Sequence, residues 1–206
     1  MTREARRTRA QGQEQTHQRL LAAGREVFLR RGFLEATVDD LAAEAGYTRG
    51  AVYKHFGGKE GLWHALVDAS SAAVTGALTE AVGGARDREE LVAALNPGRA
   101  LEDPDAARWA LVSAEAAAAL AGRPEHAGRL ATAQAALDRE LAGLLTEACE
   151  RLGLRPAVPV PQLVTAWGAL GAGLVLRHAA DGRTDVTGIA TGILGALLGQ
   201  PATRGG

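Results

Sequence analysis

Every break in the apolar periodicity of this chain carries glycine or proline, and no stretch sustains an alternation of apolar and polar residues. That punctuation leaves runs that repeat near 3.6 residues, which is the pattern of helices. Composition agrees. Of 206 residues 44 are Ala, nearly half of the 47% hydrophobic fraction, and aromatics make up 4%. Ala is the best helix former, while the residues that favour strands are scarce. The expectation is an all-α protein of about nine helices whose core comes from close packing of small faces, and a β-sandwich or barrel is disfavoured.

The first helix runs from Gln15 to a stop at Gly32, with Leu20, Ala23, Gly24, Val27 and Phe28 on one face. Thr37 caps Val38 to Ala45, Gly46 closes it, Thr48 caps a helix from Arg49 to about His55, and a long helix spans Lys59 to about Val82 before Gly83 and Gly84. Five more follow. Asp87 with Glu90 in a capping box opens one to about Leu95, Asp103 and Pro104 open another to Ala121, and the rest cover 124–152, 161–180 and 185–198. The expected domains are a flexible basic arm over 1–14, an N-terminal helical domain over 15–58, a C-terminal helical domain over 59–200, and a disordered tail over 201–206.

The net charge of −1 hides an asymmetry. Residues 1–60 hold 11 Lys and Arg against 8 Asp and Glu, whereas the rest hold 12 against 16. An electropositive end on a nearly neutral chain suits an anion-binding module joined to an acidic one, a basic disordered tail being the plainer alternative. One cysteine, Cys149, allows neither an intrachain disulfide nor a cysteine-based zinc site, which fits a reducing compartment. The N-terminus is polar and Arg-rich with no apolar stretch, unlike a secretory signal. Residues 157–176 carry no charge, but Pro159, Pro161 and Gln162 restrict the helical part to 163–176, the length of a buried helix. The expectation is a soluble, cytoplasmic protein without a membrane partner.

The most informative run is TVDDLAAEAGYTRGAVYKHFGGKEGL, Thr37 to Leu62. Two short helices joined by a turn with a central glycine have helix-turn-helix form, in which the second helix enters a DNA major groove. Ala42, Gly46 and Val52 supply the small or apolar positions that let the pair cross closely. Thr48, Arg49, Tyr53 and Lys54 lie at the cap or outer surface of the second helix and offer donors to bases and phosphates, while Gly50 lets the duplex approach. Lys59 opens the next helix, whose N-terminal amides suit a phosphate. Lys54 and Lys59 are the only lysines in the chain.

This run resembles the DNA-binding domain of the TetR family of bacterial transcriptional regulators. The resemblance rests on Phe28, Gly32-Phe33, Thr37, Gly46, Tyr53 with His55-Phe56, and Lys59-Glu60 with Leu62. The Gly57-Gly58 pair departs from the common pattern, which has one more rigid residue there. The resemblance implies phosphate contacts from Thr37, Tyr53, His55 and Lys59, and base or groove contacts from Tyr47, Thr48, Arg49, Gly50 and Lys54. A core tyrosine and a helix-end capping histidine are the alternatives for Tyr53 and His55.

One short recognition helix reads few base pairs, so a dimer on a palindromic operator is expected. Leu163, Trp167, Leu170 and Leu174 on one late helix, with Ile189, Ile193 and Leu197 on the last, are the candidate interface. The glycines inside these helices call for close packing as compensation. TetR-like proteins also dimerise through their last two long helices. The middle helices suggest a site for a lipophilic or cationic small molecule, with Trp109, Val112 and Glu115 as first candidates and His126, Trp167, Arg177 and His178 behind them. Solvated Glu115 and plain-core Trp109 are the alternative.

No HExxH or GxSxG motif is present, and the glycine-rich segments follow no strand. No catalytic role, metal or cofactor is expected. The function expected is a repressor released from its operator by an inducer. A ligand-independent or activating regulator of the same fold is the alternative, followed by a helical interaction module that does not bind DNA.

Overall fold

The computed structural model describes residues 3–200, which form nine α-helices and one 3-10 helix, with no strand among them. The helices are α1 (Arg3–Arg31), α2 (Val38–Ala45), α3 (Arg49–Phe56), α4 (Lys59–Gly84), α5 (Arg88–Ala94), α6 (Ala106–Leu120), α7 (Pro124–Leu152), α8 (Val160–Asp181) and α9 (Val186–Leu198). The 3-10 helix spans Pro97–Glu102. The tail expected over 201–206 lies outside the described residues, as do the first two residues of the arm. The arm is otherwise not a coil, because α1 already begins at Arg3.

Two compact units divide between Ser70 and Ser71, so the first three turns of α4 belong to the N-terminal unit. In that unit Leu20, Val27 and Phe28 of α1, Leu41 of α2, Val52 of α3 and Leu62 of α4 are fully buried. Phe28, Phe33 and Trp63 form an aromatic trio with ring centroids 5.3–5.8 Å apart. Two glycines set how closely elements approach. A Cβ on Gly24 would stand 2.3 Å from the Leu62 side chain, and one on Gly61 would fall 1.7 Å from the Phe56 carbonyl oxygen.

In the second unit α8 packs against α6, α7 and α9, around a core that includes Leu91, Leu145, Leu163, Ala190 and Leu194. Side chains tie helix ends across it. The Arg151 guanidinium donates to the Val82 carbonyl at 2.9 Å and to that of Ala85, and Arg88 donates to the carbonyls of Gly199, at 2.6 Å, and Gly195. Asn96, buried, donates to the Thr187 carbonyl at 3.0 Å and to Thr191 Oγ1 at 2.9 Å, and accepts from Gly98 N–H at 2.8 Å.

Several local expectations need correction. Helix α4 continues through Gly83 and Gly84. The break expected at Asn96 to Gly98 is the start of the 3-10 helix, because the Asn96 side chain turns the chain there. Asp103 accepts from Asp105 N–H in a turn rather than capping α6, which starts at Ala106. Asp87 caps α5 through Glu90 N–H, but the Glu90 carboxylate takes Arg86 N–H and its guanidinium, leaving a capping box half made. Helix α8 is 22 residues, long and apolar enough to cross a membrane by length and composition, where a shorter buried helix was expected.

Candidate nucleic-acid interface

Thr37, in extended conformation, accepts Asp40 N–H on its hydroxyl at 3.2 Å, and the Asp40 carboxylate accepts Thr37 N–H at 3.0 Å and its hydroxyl at 2.7 Å. This reciprocal box fixes the start of α2. The Thr37 hydrogen bonds, followed by the charges of Arg31 and Arg30, hold the Asp40 carboxyl below its ordinary ionisation range. Gly46 then takes the left-handed conformation, φ 71°, and the Tyr47 N–H reaches back to the Ala42 carbonyl at 2.9 Å. A left-handed residue costs a β-carbon steric energy, which glycine avoids. With Leu41, Ala42 and Val52 buried between them, α2 and α3 present the opposite side of α3 outward.

That outer side carries Thr48, Arg49, Gly50, Tyr53 and Lys54, all exposed. Thr48 occupies the N-cap position but its side chain makes no cap hydrogen bond, contrary to expectation, so its hydroxyl is not used to close α3. Arg49 meets Asp39 of α2 at 3.2 Å, with both side chains about 60% exposed. Such a pair contributes at most about 1 kcal/mol, so the guanidinium can leave it for a stronger anion. A Cβ on Gly50 would meet only Thr48 Oγ1, at 3.6 Å. Nothing inside the chain therefore requires glycine at this helical position, where Ala would be more stable by about 1 kcal/mol.

The remaining expected contacts are held partly inward. Lys59 Nζ donates to the Phe33 carbonyl at 2.9 Å and reaches that of Leu34 at 3.4 Å, standing 4.7 Å over the Phe33 ring. Two of its three donors are thus engaged with backbone. Tyr47 is half-buried, with Thr16 first and then Arg19 of α1 holding its phenol below the ordinary range. The His55 ring lies 6.0 Å from that of His17, and the Phe56 ring lies 4.5 Å from His17, tilted by 31°. Burial first, then His17 and Lys54, lowers the His55 pKa from its ordinary value. Gly57 and Gly58 have φ 76° and 135° and form a defined turn, the Gly57 N–H bonding to the Tyr53 carbonyl at 2.9 Å. The sequence reading missed His17, Thr16, Arg19 and Asp39. His17 and Thr16 lie one turn before Leu20 on the buried stripe of α1, a signal that periodicity alone could have supplied.

The candidate ligand residues differ in burial and in partners. Val112 is buried in the chain's interior, Trp109, Glu115 and His126 are half-buried, and Arg177 is exposed and 4.0 Å from Asp181. His178 Nδ1 lies 3.0 Å from the Thr184 carbonyl at the turn into α9. Trp167 lines an apolar void of about 10 Å³ with Leu78, Leu95 and Leu163, too small for an organic ligand. No group of three or more His, Cys, Asp or Glu side chains converges among the described residues.

The interface candidates divide. Leu163 and Leu174 are buried in the second unit's own core, Trp167, Leu170 and Leu197 pack against it, and the Trp167 indole N–H is spent on the Leu95 carbonyl at 2.6 Å. Leu163 and Leu174 are thereby taken up by the chain's own packing, while Trp167, Leu170 and Leu197 keep part of their surface exposed. Ile189 and Ile193 are exposed, at 42% and 39%, as is Leu176. The outward stripe of α8 is Ala169, Ala172, Gly173 and Leu176 instead.

Comparison with known proteins agrees with this geometry. Residues 20–66 match the family described as bacterial regulatory proteins, tetR family. Over 55 residues the chain is 53% identical to the HTH-type transcriptional regulator SrpR of Pseudomonas putida, covering 27% of this chain and 25% of that protein. Over 170 residues it is 28% identical to the HTH-type transcriptional repressor AcnR of Corynebacterium glutamicum, covering 82% of this chain and 85% of that protein. A crystal structure of a TetR-family transcriptional regulator from Pectobacterium atrosepticum matches with a TM-score of 0.67 at 26% identity, over 98% of this chain and 100% of that one. The chain spans about a quarter of SrpR and most of AcnR. With its helix-turn-helix and an all-helical second unit, the chain is similar to regulators of the tetR family, the family match itself covering residues 20–66.

Proposed function

We propose that this chain is a cytoplasmic transcriptional regulator that binds DNA through α3 and acts as a repressor. The observation that carries the reading is the outer side of α3, where Gly50, unneeded by the chain's own packing, stands among exposed Arg49, Tyr53 and Lys54. Glycine there lets a duplex come close, while the cations and the phenol supply donors to phosphates and base edges. Thr37, Thr48 and the Lys59 end of α4 flank this surface in the proposal. Tyr47 and His55 act by holding α3 against α1.

Two copies are needed for useful specificity, and the last two helices supply a surface for them. Leu176, Ile189 and Ile193 are exposed, and a Cβ on Gly168, Gly173 or Gly192 would meet nothing within 4 Å. Interior helix glycines without a neighbour are destabilising in a lone chain, and close approach of a second copy compensates them. The operator is accordingly palindromic, and a small-molecule inducer acting on the second unit releases it. The named repressor activity of the AcnR relative supports the sign of control. Sequencing the DNA that the purified chain selects from a random pool tests the reading. Enrichment of two inverted half-sites is expected, and a pool that emerges unenriched contradicts it.

A further inference from the structure

Resting on the reading of α3 as the helix that meets DNA, we propose that Asp39 makes Arg49 a reader of guanine by holding one end of its guanidinium. Arg49 is the first residue of α3, Asp39 lies in the first turn of α2, and the turn at Gly46 brings the two together. Arg49 Nη1 donates to Asp39 Oδ2 at 3.2 Å. The first residues of a recognition helix are the ones that meet base edges, so this pair stands where sequence is read.

The capping of α2 does not need this carboxylate. Thr37 and Asp40 complete the capping box, Arg31 lies 3.4 Å from Asp40, and among the described residues Asp39 pairs with Arg49 alone. An acid here also repels phosphates, which supply nearly all of non-specific affinity. Asp39 thus weakens general binding, and discrimination is what it can return. A guanidinium is a rigid planar fork. With Nη1 on the carboxylate, the edge made by Nε and Nη2 keeps two parallel donors, the pattern that matches guanine O6 and N7. A phosphate matches the same edge but carries a charge that the neighbouring carboxylate repels, whereas the guanine edge is neutral. Holding the fork also spends part of the Arg49 rotamer entropy before DNA arrives. The pair is exposed and a well-aligned phosphate can break it, so its effect is a bias of about fivefold.

Fluorescence anisotropy with duplexes that the purified full chain selects from a random pool, and with singly substituted copies of them, tests the role. Guanine is expected at the position whose preference Arg49→Ala erases. Asp39→Asn should lower discrimination against adenine there by about fivefold and leave the other selected positions unchanged, which a role confined to the start of α2 would not do. On a scrambled duplex Asp39→Asn should bind more tightly and steepen the slope of log affinity against log salt by about one, as the freed guanidinium turns to a phosphate. Undiminished discrimination by Asp39→Asn, a loss spread evenly over all positions, an unchanged salt slope, or a preferred base other than guanine overturns the role. A wild-type chain that enriches no DNA removes the regulator and this role with it. Enriched duplexes that Asp39→Asn reads as the wild type does remove the role of Asp39 alone.

Discussion

The Lys59 ammonium donates to the Phe33 carbonyl at 2.9 Å and stands over the Phe33 ring, so a side chain that a motif marks as a phosphate ligand is also a brace for the loop between α1 and α2. Charged hydrogen bonds and cation–π contacts both contribute measurably to stability. Lys59→Met should therefore destabilise the N-terminal unit by about 2 kcal/mol in chemical denaturation. Lys54→Ala, on the exposed side of α3, should leave stability unchanged. Equal stability of the Lys59→Met and wild-type proteins would show that the contact does not hold the loop.

Gly50 offers an opposite pairing of effects. Gly50→Ala removes a poor helix former from a position with open space, so the protein should gain about 1 kcal/mol of stability. The added methyl lies where the duplex is proposed to come close, and affinity for DNA should fall about tenfold. A variant that is both more stable and equally tight would remove the case for close approach at α3.

His55 makes the N-terminal unit sensitive to acid. Burial, then His17 from α1 and Lys54 on its own helix, lowers the His55 pKa in the folded chain. At neutral pH both folded and unfolded forms are uncharged at this residue and nothing is lost. As pH falls below about 6.5 the unfolded chain takes up the proton first, so stability declines until the folded imidazole is protonated as well. Melting curves at pH 7.5 and 5.5 should show the loss, and His55→Phe should reduce it. An unchanged difference in the variant would assign the pH effect elsewhere.

Ile193 and Leu163 separate the two sides of the C-terminal helices. Ile193→Glu places a charge on the exposed face of α9 and should shift a dimer to monomer in light scattering with little change in helix content. Leu163→Ala opens a cavity in the chain's own core and should cost about 2–5 kcal/mol of stability whether or not a partner is present. A dimer that survives Ile193→Glu would require a different interface.

The helix count and most helix ends were legible because local chemistry writes them. Thr37 with Asp40, and the glycines at 32, 46, 57, 153 and 182, each act within a few residues and need no knowledge of the fold. What was not legible depended on distant partners. Leu163 and Leu174 satisfy the spacing of an interface as well as that of a core, and only the packing of α6, α7 and α9 around α8 decides between them. Likewise Lys59, Tyr47 and His55 match a DNA-contact motif, yet their inward partners Phe33, Thr16 and His17 are 26 or more residues away.

Gel retardation of DNA from upstream of the chain's own gene tests the central claim most directly. At low salt the wild-type protein should retard it, and Tyr53→Ala and Lys54→Ala should weaken the shift. The Lys54 change should also lower the slope of log affinity against log salt by about one, as expected for one lost phosphate contact. No retardation of this DNA, or full retardation by both variants with an unchanged salt slope, would contradict the assignment of α3 as the reading helix.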